Sequence, residues 1–184
     1  MYHRLASVAV LSCGVLLLAG CSGSSAGMTG GRMTLNLMKK DSYLRIWLDG
    51  QKGKQNKLKK AATGYSRWTI KEPVSTSPKL QFEIRDPDRF GRITQVSVQI
   101  HQEFEADYSH LAEFKVFAAS KDTQAQMKPS VEYDLGAPGE GFKVLNVTDD
   151  EVSGVELKPG LKHMLVLTVV ADKSETAQIY FETK

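Results

Sequence analysis

Thiols are almost missing. The chain of 184 residues has two cysteines, Cys13 and Cys21, so nothing beyond residue 21 carries sulfur chemistry of that kind. A disulfide framework, a zinc–thiolate site and a cysteine nucleophile are excluded there, and stability must come from buried apolar surface. An excess of one charge is also missing. Against 24 Lys and Arg stand 21 Asp and Glu, a net charge of +3, which is too mild a surplus to point to nucleic acid. No G-x-S-x-G elbow, H-E-x-x-H pair or phosphate loop occurs, so the usual hydrolase, metalloprotease and nucleotide-enzyme signatures go unfilled. The expectation is a protein that is not an enzyme and holds no cofactor. Past the N-terminal segment, no apolar run reaches the ~20 residues of a spanning helix.

What is present begins at the N-terminus. Arg4 precedes an apolar run from Leu5 to Leu18, and small residues lead to a cysteine in Leu18-Ala19-Gly20-Cys21. This layout is that of a secretory signal, with an apolar core too short to span a bilayer. The tetrapeptide resembles the lipobox of bacterial lipoproteins. That resemblance implies residues 1–20 are a signal peptide, and that Cys21 is acylated and becomes the mature N-terminus. Removing residues 1–20 leaves 164 of the 184, the size of one ordinary domain. Residues 21–32 then form the lipidated cysteine and a flexible tether, SGSSAGMTGGR after Cys21, with no apolar period. Its random-coil reach is ~15–20 Å. Ser22 resembles the residue that directs enteric-type lipoproteins to the outer membrane. The expected location is the bacterial cell envelope, anchored by lipid and facing the periplasm.

Residues 33–184 read as one β-domain. Leu80, Phe82 and Ile84 alternate with Gln81 and Glu83, and Val96, Val98 and Ile100 alternate with Ser97 and Gln99. A period of two sets apolar side chains on one sheet face. Similar runs occur at 44–48, 68–70, 114–118, 131–135, 142–147, 164–170 and 179–181. Met164 to Val170 is apolar on both faces and reads as a central strand. Asp49-Gly50, Asp86-Pro87, Phe90-Gly91, the GAPGEG segment at 136–141 and Pro159-Gly160 punctuate the runs. About nine strands so spaced predict an all-β, antiparallel sandwich. One helix is expected, from Asp107 to Phe114, with Asp107 as its cap and Tyr108, Leu111 and Ala112 on one face.

Two stretches, FEIRDPDRFGRITQVSVQI at 82–100 and LKPGLKHMLVLTVVADKSETAQIYFET at 157–183, resemble bacterial immunoglobulin-like or fibronectin type III-like domains. Together they cover under a third of residues 21–184, and Arg89-Phe90 departs from the usual Asp-Gly continuation. The resemblance implies an immunoglobulin-like sandwich and no activity. Small secretion-system lipoproteins with β-sandwich folds offer an analogy for a scaffold.

The candidate contact residues cluster early in the domain. Lys52, Lys54, Lys57, Lys59 and Lys60 form a basic loop, flanked by Trp47, Tyr65 and Trp68 and by Tyr43. Such a loop suits anionic headgroups or acidic glycan, and also suits a solvated stretch that guards a sheet edge. Trp47 falls on the strand face opposite Leu44, Ile46 and Leu48, where an indole can stack on a sugar or anchor a partner. The acidic turns Asp86-Pro87-Asp88 and Asp149-Asp150-Glu151 have the oxygen ligands calcium takes, without EF-hand spacing. They read equally as turn formers. His101 alternates with Glu103 and Glu105, and His110 with Glu113 makes a metal pair if a helix forms. The balance gives no metal. The expected role is to bind or scaffold an envelope protein from a membrane anchor. The alternative is a glycan- or peptidoglycan-binding module built on the aromatics and lysines.

Overall fold

The computed structural model describes residues 42–56, 65–121 and 123–184, which belong to one compact unit. Within them the chain runs through thirteen strands, one α-helical turn and one 3-10 turn at Thr123–Ala125. The strands are β1 (Leu44–Leu48), β2 (Gln51–Lys52), β3 (Lys54–Gln55), β4 (Tyr65–Thr69) and β5 (Lys79–Ile84). The helical turn α1 (Pro87–Phe90) follows, then β6 (Gln95–Phe104), β7 (Asp107–Tyr108), β8 (Phe114–Ala118) and β9 (Glu132–Asp134). The chain closes with β10 (Phe142–Asn146), β11 (Glu151–Val152), β12 (Lys162–Val170) and β13 (Glu175–Glu182). Nine strands have three residues or more, and the other four are two-residue pairs. The alternation in the sequence and the nine-strand sandwich therefore agree.

One sheet has the order β2-β1-β5-β9, and the other β11-β10-β8-β6-β12-β13-β4-β3, with β7 pairing β6. β12 lies at the centre of the larger sheet, as its apolar run predicts, between β6 and β13. The pairs are antiparallel except that β4 runs parallel to β13, so the sandwich is mixed rather than purely antiparallel. Leu44, Ile46, Leu48, Leu80 and Phe82 of the small sheet face Val98, Ile100, Leu165, Leu167 and Ile179 of the large one in a single buried cluster. Period-two alternation places these side chains inward and their neighbours outward.

The turns carry their own chemistry. Asp49 and Gly50 have φ of 48° and 73° between the paired Leu48 and Gln51, the left-handed pair that a two-residue hairpin requires. The Asp49 carboxylate also accepts the Ser75 N–H at 2.6 Å and the Lys79 N–H at 2.7 Å, which ties the loop before β5 to the β1–β2 turn. At Asp86, the side chain accepts the Arg89 N–H at 3.3 Å and caps α1, with Pro87 in the first turn. Phe90 ends that turn fully buried, 5.6 Å from the Tyr43 ring. The departure from the Asp-Gly pattern thus serves as a core anchor.

Asp107 to Phe114 is not a helix. Glu105 and Ala106, with φ of 49° and 66°, turn the chain back after Phe104, and β7 pairs with β6 through Phe104–Asp107 and Glu103–Tyr108. The Asp107 carboxylate accepts the Tyr108 N–H at 2.8 Å. Ser109 N–H donates to Gln102 O at 3.0 Å and Glu113 N–H to Ile100 O at 2.7 Å. Backbone bonds to β6 therefore replace the bonds a helix would make within itself. Among the described residues no helix is long and apolar enough to cross a membrane.

Candidate functional site

The contact residues expected from sequence do not form one patch. Cys21 and Lys57, Lys59 and Lys60 lie outside the described residues, as do the expected signal segment and tether. Trp47 and Lys52 face each other across β1–β2, and the Lys52 ammonium sits over the Trp47 ring, 5.6 Å from its centroid. One indole face is therefore already covered by a cation, a contact of ~0.5–1 kcal/mol where exposed. Lys54 and Tyr65 are on the other sheet, in β3 and β4. Tyr65 is exposed. Trp68 is 2% exposed, in the core cluster, with its indole N–H donating to Ser66 Oγ at 3.1 Å. This corrects the expectation that Trp68 offers a stacking face. Its alternation with Ile70, just past the end of β4, places both in the core.

The metal alternatives also come apart. His101 is nearly buried, with Nδ1 2.9 Å from Ser109 O. Glu103 pairs with Lys162 at 3.7 Å, and Glu105 lies in the turn after β6. The acidic turns use their carboxylates locally. Asp86 caps α1, Asp149 meets Lys115 Nζ at 2.6 Å, and Asp150 accepts the Thr148 hydroxyl. No group of three or more metal-capable side chains occurs among the described residues.

A different constellation does form, at the end of the sandwich where β6 and β10 stop and β8 and β12 begin. Phe104 closes β6, Leu111 and Glu113 precede β8, Val147 follows β10 and Lys158 precedes β12. With Gln102 and Ser109 they line a cleft of about 310 Å³. Local bonds hold each in place. Leu111 N–H donates to Ser109 Oγ at 3.2 Å. Asn146 Oδ1 accepts the Thr148 and Asp150 N–H groups, each at 3.0 Å, and turns Val147 outward. The Lys158 carbonyl accepts the Thr183 hydroxyl at 2.6 Å. Phe104, Leu111 and Val147 are 68%, 67% and 53% exposed. Exposed apolar side chains gathered around one hollow mark a contact surface more often than scattered ones do.

Behind this rim lies a polar pair. His163 faces inward from β12 and is fully buried, its ring stacked on Phe181 at 5.6 Å and 26°. Its Nδ1 is 3.6 Å from Glu113 Oε2, beyond hydrogen-bond distance. Among the described residues, Glu113 Oε2 and both His163 nitrogens are the buried side-chain polar atoms with no hydrogen-bond partner. Burial pushes the His163 pKa below its ordinary value. The Lys158 backbone opposes that shift without meeting hydrogen-bond geometry. Burial pushes the Glu113 pKa up, against the pull of the Lys158 charge. Both shifts disfavour the charged form, which is what desolvation does.

Sequence reasoning does not reach this pair, since Glu113 and His163 are far apart in the chain and share no motif. One signal is there. His163 stands at an inward position in step with Leu165, Leu167 and Val169, where a polar residue is out of pattern. A wider groove of about 610 Å³ crosses the outer face of the large sheet near Ser97, Gln99, Lys115 and Phe117. None of the exposed large apolar residues lines it. The chain matches no protein-family model, and no curated protein matches it in sequence.

Proposed function

We propose that the chain is a non-catalytic, lipid-anchored envelope protein whose β-sandwich binds or scaffolds another envelope protein through the cleft at Phe104, Leu111 and Val147. The observation that carries this reading is the meeting of three exposed apolar side chains from separate connections around one hollow. A cleft of about 310 Å³ suits an anchoring side chain or two, the size of contact that hot-spot residues fill. The lipobox-like Leu18-Ala19-Gly20-Cys21 supports acylation at Cys21 and an address at the outer membrane facing the periplasm. The analogy with small secretion-system lipoproteins supports a scaffold rather than a catalyst. The glycan alternative has Trp47 and Lys52 for a platform. It is weakened because Lys52 covers the indole and Trp68 is in the core.

The test is site-specific photocrosslinking in cells. A photoreactive residue replaces Phe104, Leu111 or Trp47, one at a time, in the native lipidated protein, and Gln95 serves as the control site. One envelope protein captured from both cleft positions and not from Gln95 supports the reading. Capture of peptidoglycan at Trp47, with nothing captured at the cleft, overturns it in favour of the glycan module.

A further inference from the structure

We propose that the cleft takes a protein segment that seats an apolar side chain against Phe104, Leu111 and Val147 and lays an arginine or lysine head on the Glu113 carboxylate. This names the partner chemistry of the site proposed above and rests on that reading.

Two buried side chains at this cleft lack hydrogen bonds. Glu113 lines the cleft, yet its Oε2 is buried and unpartnered. Immediately behind it His163 is fully buried and unpartnered as well, with Nδ1 turned to that same oxygen at 3.6 Å. Buried polar atoms in a folded protein are nearly always bonded, and an exception calls for an explanation. Oε2 itself is sealed against His163, but the Glu113 side chain is 21% exposed, so a donor arriving through the cleft can lie against this poorly solvated carboxylate and offset its charge. A cationic donor does this best, because a charge-assisted bond to a carboxylate is shorter and stronger than a neutral one.

Charge around the opening points the same way. The cleft itself is lined by one carboxylate, Glu113, and one ammonium, Lys158. Phe104, Ser109 and Leu111 also line an adjoining hollow, where the hairpin wall adds Glu105 and Asp107, while Glu103 and Lys162 pair with each other at 3.7 Å. With the adjoining hollow included, three carboxylates face one ammonium, so the field favours a basic guest. The apolar rim sets the rest of the guest's chemistry. A bare cation would leave Phe104 and Leu111 wet, while an apolar residue beside the basic one covers them.

The wall itself is built under strain. Glu105 and Ala106 hold left-handed φ angles without being glycine or asparagine, and such strain collects at ligand clamps. Here it fixes the tip that ends in Phe104.

The experiment uses the full lipidated chain in neutral detergent and short, end-capped fluorescent peptides alternating leucine with arginine, citrulline or glutamate. Citrulline keeps the shape of arginine and removes its charge. The arginine peptide is expected to bind roughly tenfold or more tightly than the citrulline peptide, the gain of one charge-assisted contact. Glu113→Gln should erase that difference and leave the citrulline peptide within about twofold of its original affinity. Lys158→Gln, which removes the competing cation, should tighten arginine binding, and it keeps the proposal testable should the Glu113 variant fold poorly. Equal affinity for arginine and citrulline peptides, or preference for the glutamate peptide, overturns the proposal. If crosslinks from Phe104 and Leu111 still capture one envelope protein, the scaffold reading survives that result. If crosslinking captures nothing while the arginine preference holds, the scaffold reading falls and the peptide site stands.

Discussion

Replacing His163 with phenylalanine should stabilise the protein, against the general rule that core substitutions destabilise. The imidazole is fully buried, and neither nitrogen has a partner. An unmet buried donor or acceptor costs ~1–3 kcal/mol. A phenyl ring removes both atoms, fits a similar flat space and keeps the stack on Phe181. Overpacking by the slightly larger ring costs ~1 kcal/mol at the low end of its range, and the Lys158 backbone already eases part of the imidazole's burden. The net expectation at alkaline pH is a gain of roughly 1–3 kcal/mol. For a domain of this size that corresponds to a Tm higher by ~2–4 °C per kcal/mol.

The pH dependence is the sharper part of this prediction. The folded-state pKa of His163 lies below its ordinary value. Its contribution to stability is therefore intact above that ordinary value, ~6.5, and is lost as pH falls through it towards the folded value, because the unfolded chain takes up the proton first. A phenyl ring at this position has no such slope, so the advantage of His163→Phe should widen by up to ~1.4 kcal/mol per pH unit below ~6.5. Urea unfolding followed by Trp68 fluorescence, at about pH 8 and about pH 5.5, reads both effects. A variant less stable than the parent at both pH values would show that the imidazole makes a bond the geometry does not contain. A gain that stays constant with pH would refute the placement of a titrating His163 in the core.

Glu113→Gln should show the opposite pH sense. The Glu113 pKa is raised by burial, so its favourable contribution is present below the ordinary carboxyl value and is lost as pH rises through the folded value. The variant should gain on the parent by roughly 1 kcal/mol near neutrality and gain nothing in acid, by the same urea assay. Trp68→Ala should cost about 3–5 kcal/mol, a buried aromatic lost to a cavity, while Trp47→Ala should cost under ~1 kcal/mol. Comparable losses from the two would contradict the placement of Trp47 on the outer face. Ala106→Gly should stabilise the fold in urea by about 0.5–1 kcal/mol, since glycine takes the left-handed turn without the ~1–2 kcal/mol penalty of a Cβ. Cys21→Ser should abolish labelling with radioactive palmitate and release the protein from the membrane fraction. Labelling that persists would sink the lipobox reading.

Strand positions can be read from the sequence because each depends on a local pattern. Leu44 to Leu48 and Phe114 to Ala118 coincide with their strands residue for residue. In the first, alternating burial is written directly in alternating apolarity, while in the second only Val116 is buried. The two-residue strands β2, β3, β7 and β11 cannot be read in this way, because two residues hold no period. The turn at Glu105-Ala106 escapes for a related reason. Hairpin turns of this hand normally announce themselves with Asn-Gly or Asp-Gly, as Asp49-Gly50 does. Here a glutamate and an alanine take the same angles, and the run from Asp107 to Phe114 then looks helical. The parallel pairing of β4 with β13 joins distant parts of the chain, and nothing in either strand encodes its partner. Trp68 is legible in principle, through its step with Ile70. Its place beside the lysine-rich segment is what makes it read as a surface group.

The site residues divide along the same line. Contacts proposed from neighbouring sequence, Trp47 with Lys52, survive where two adjacent strands bring them together. The cleft draws on separate connections and has no sequence neighbourhood at all. Its members share a different trait, which is that each breaks a local rule. His163 is polar at a core position, Glu113 is a carboxylate with a dry oxygen, Phe104 and Leu111 are large and exposed, and Ala106 is left-handed. Elsewhere propensity, alternation and packing agree closely, with Val98, Leu165 and Ile179 meeting Ile46 and Phe82 in one core. Ser130 and Asp149 are also left-handed, and Tyr65 and Val131 are also exposed, but at this cleft such features meet a buried carboxylate oxygen without a partner, a combination that folding stability alone gives no reason to assemble. Binding does, because an orphaned acceptor, a fixed apolar rim and a strained wall are all relieved or used when a guest enters. That convergence favours the cleft over the wider groove beside Phe117, which has nearly twice the volume and none of the large exposed apolar residues in its lining.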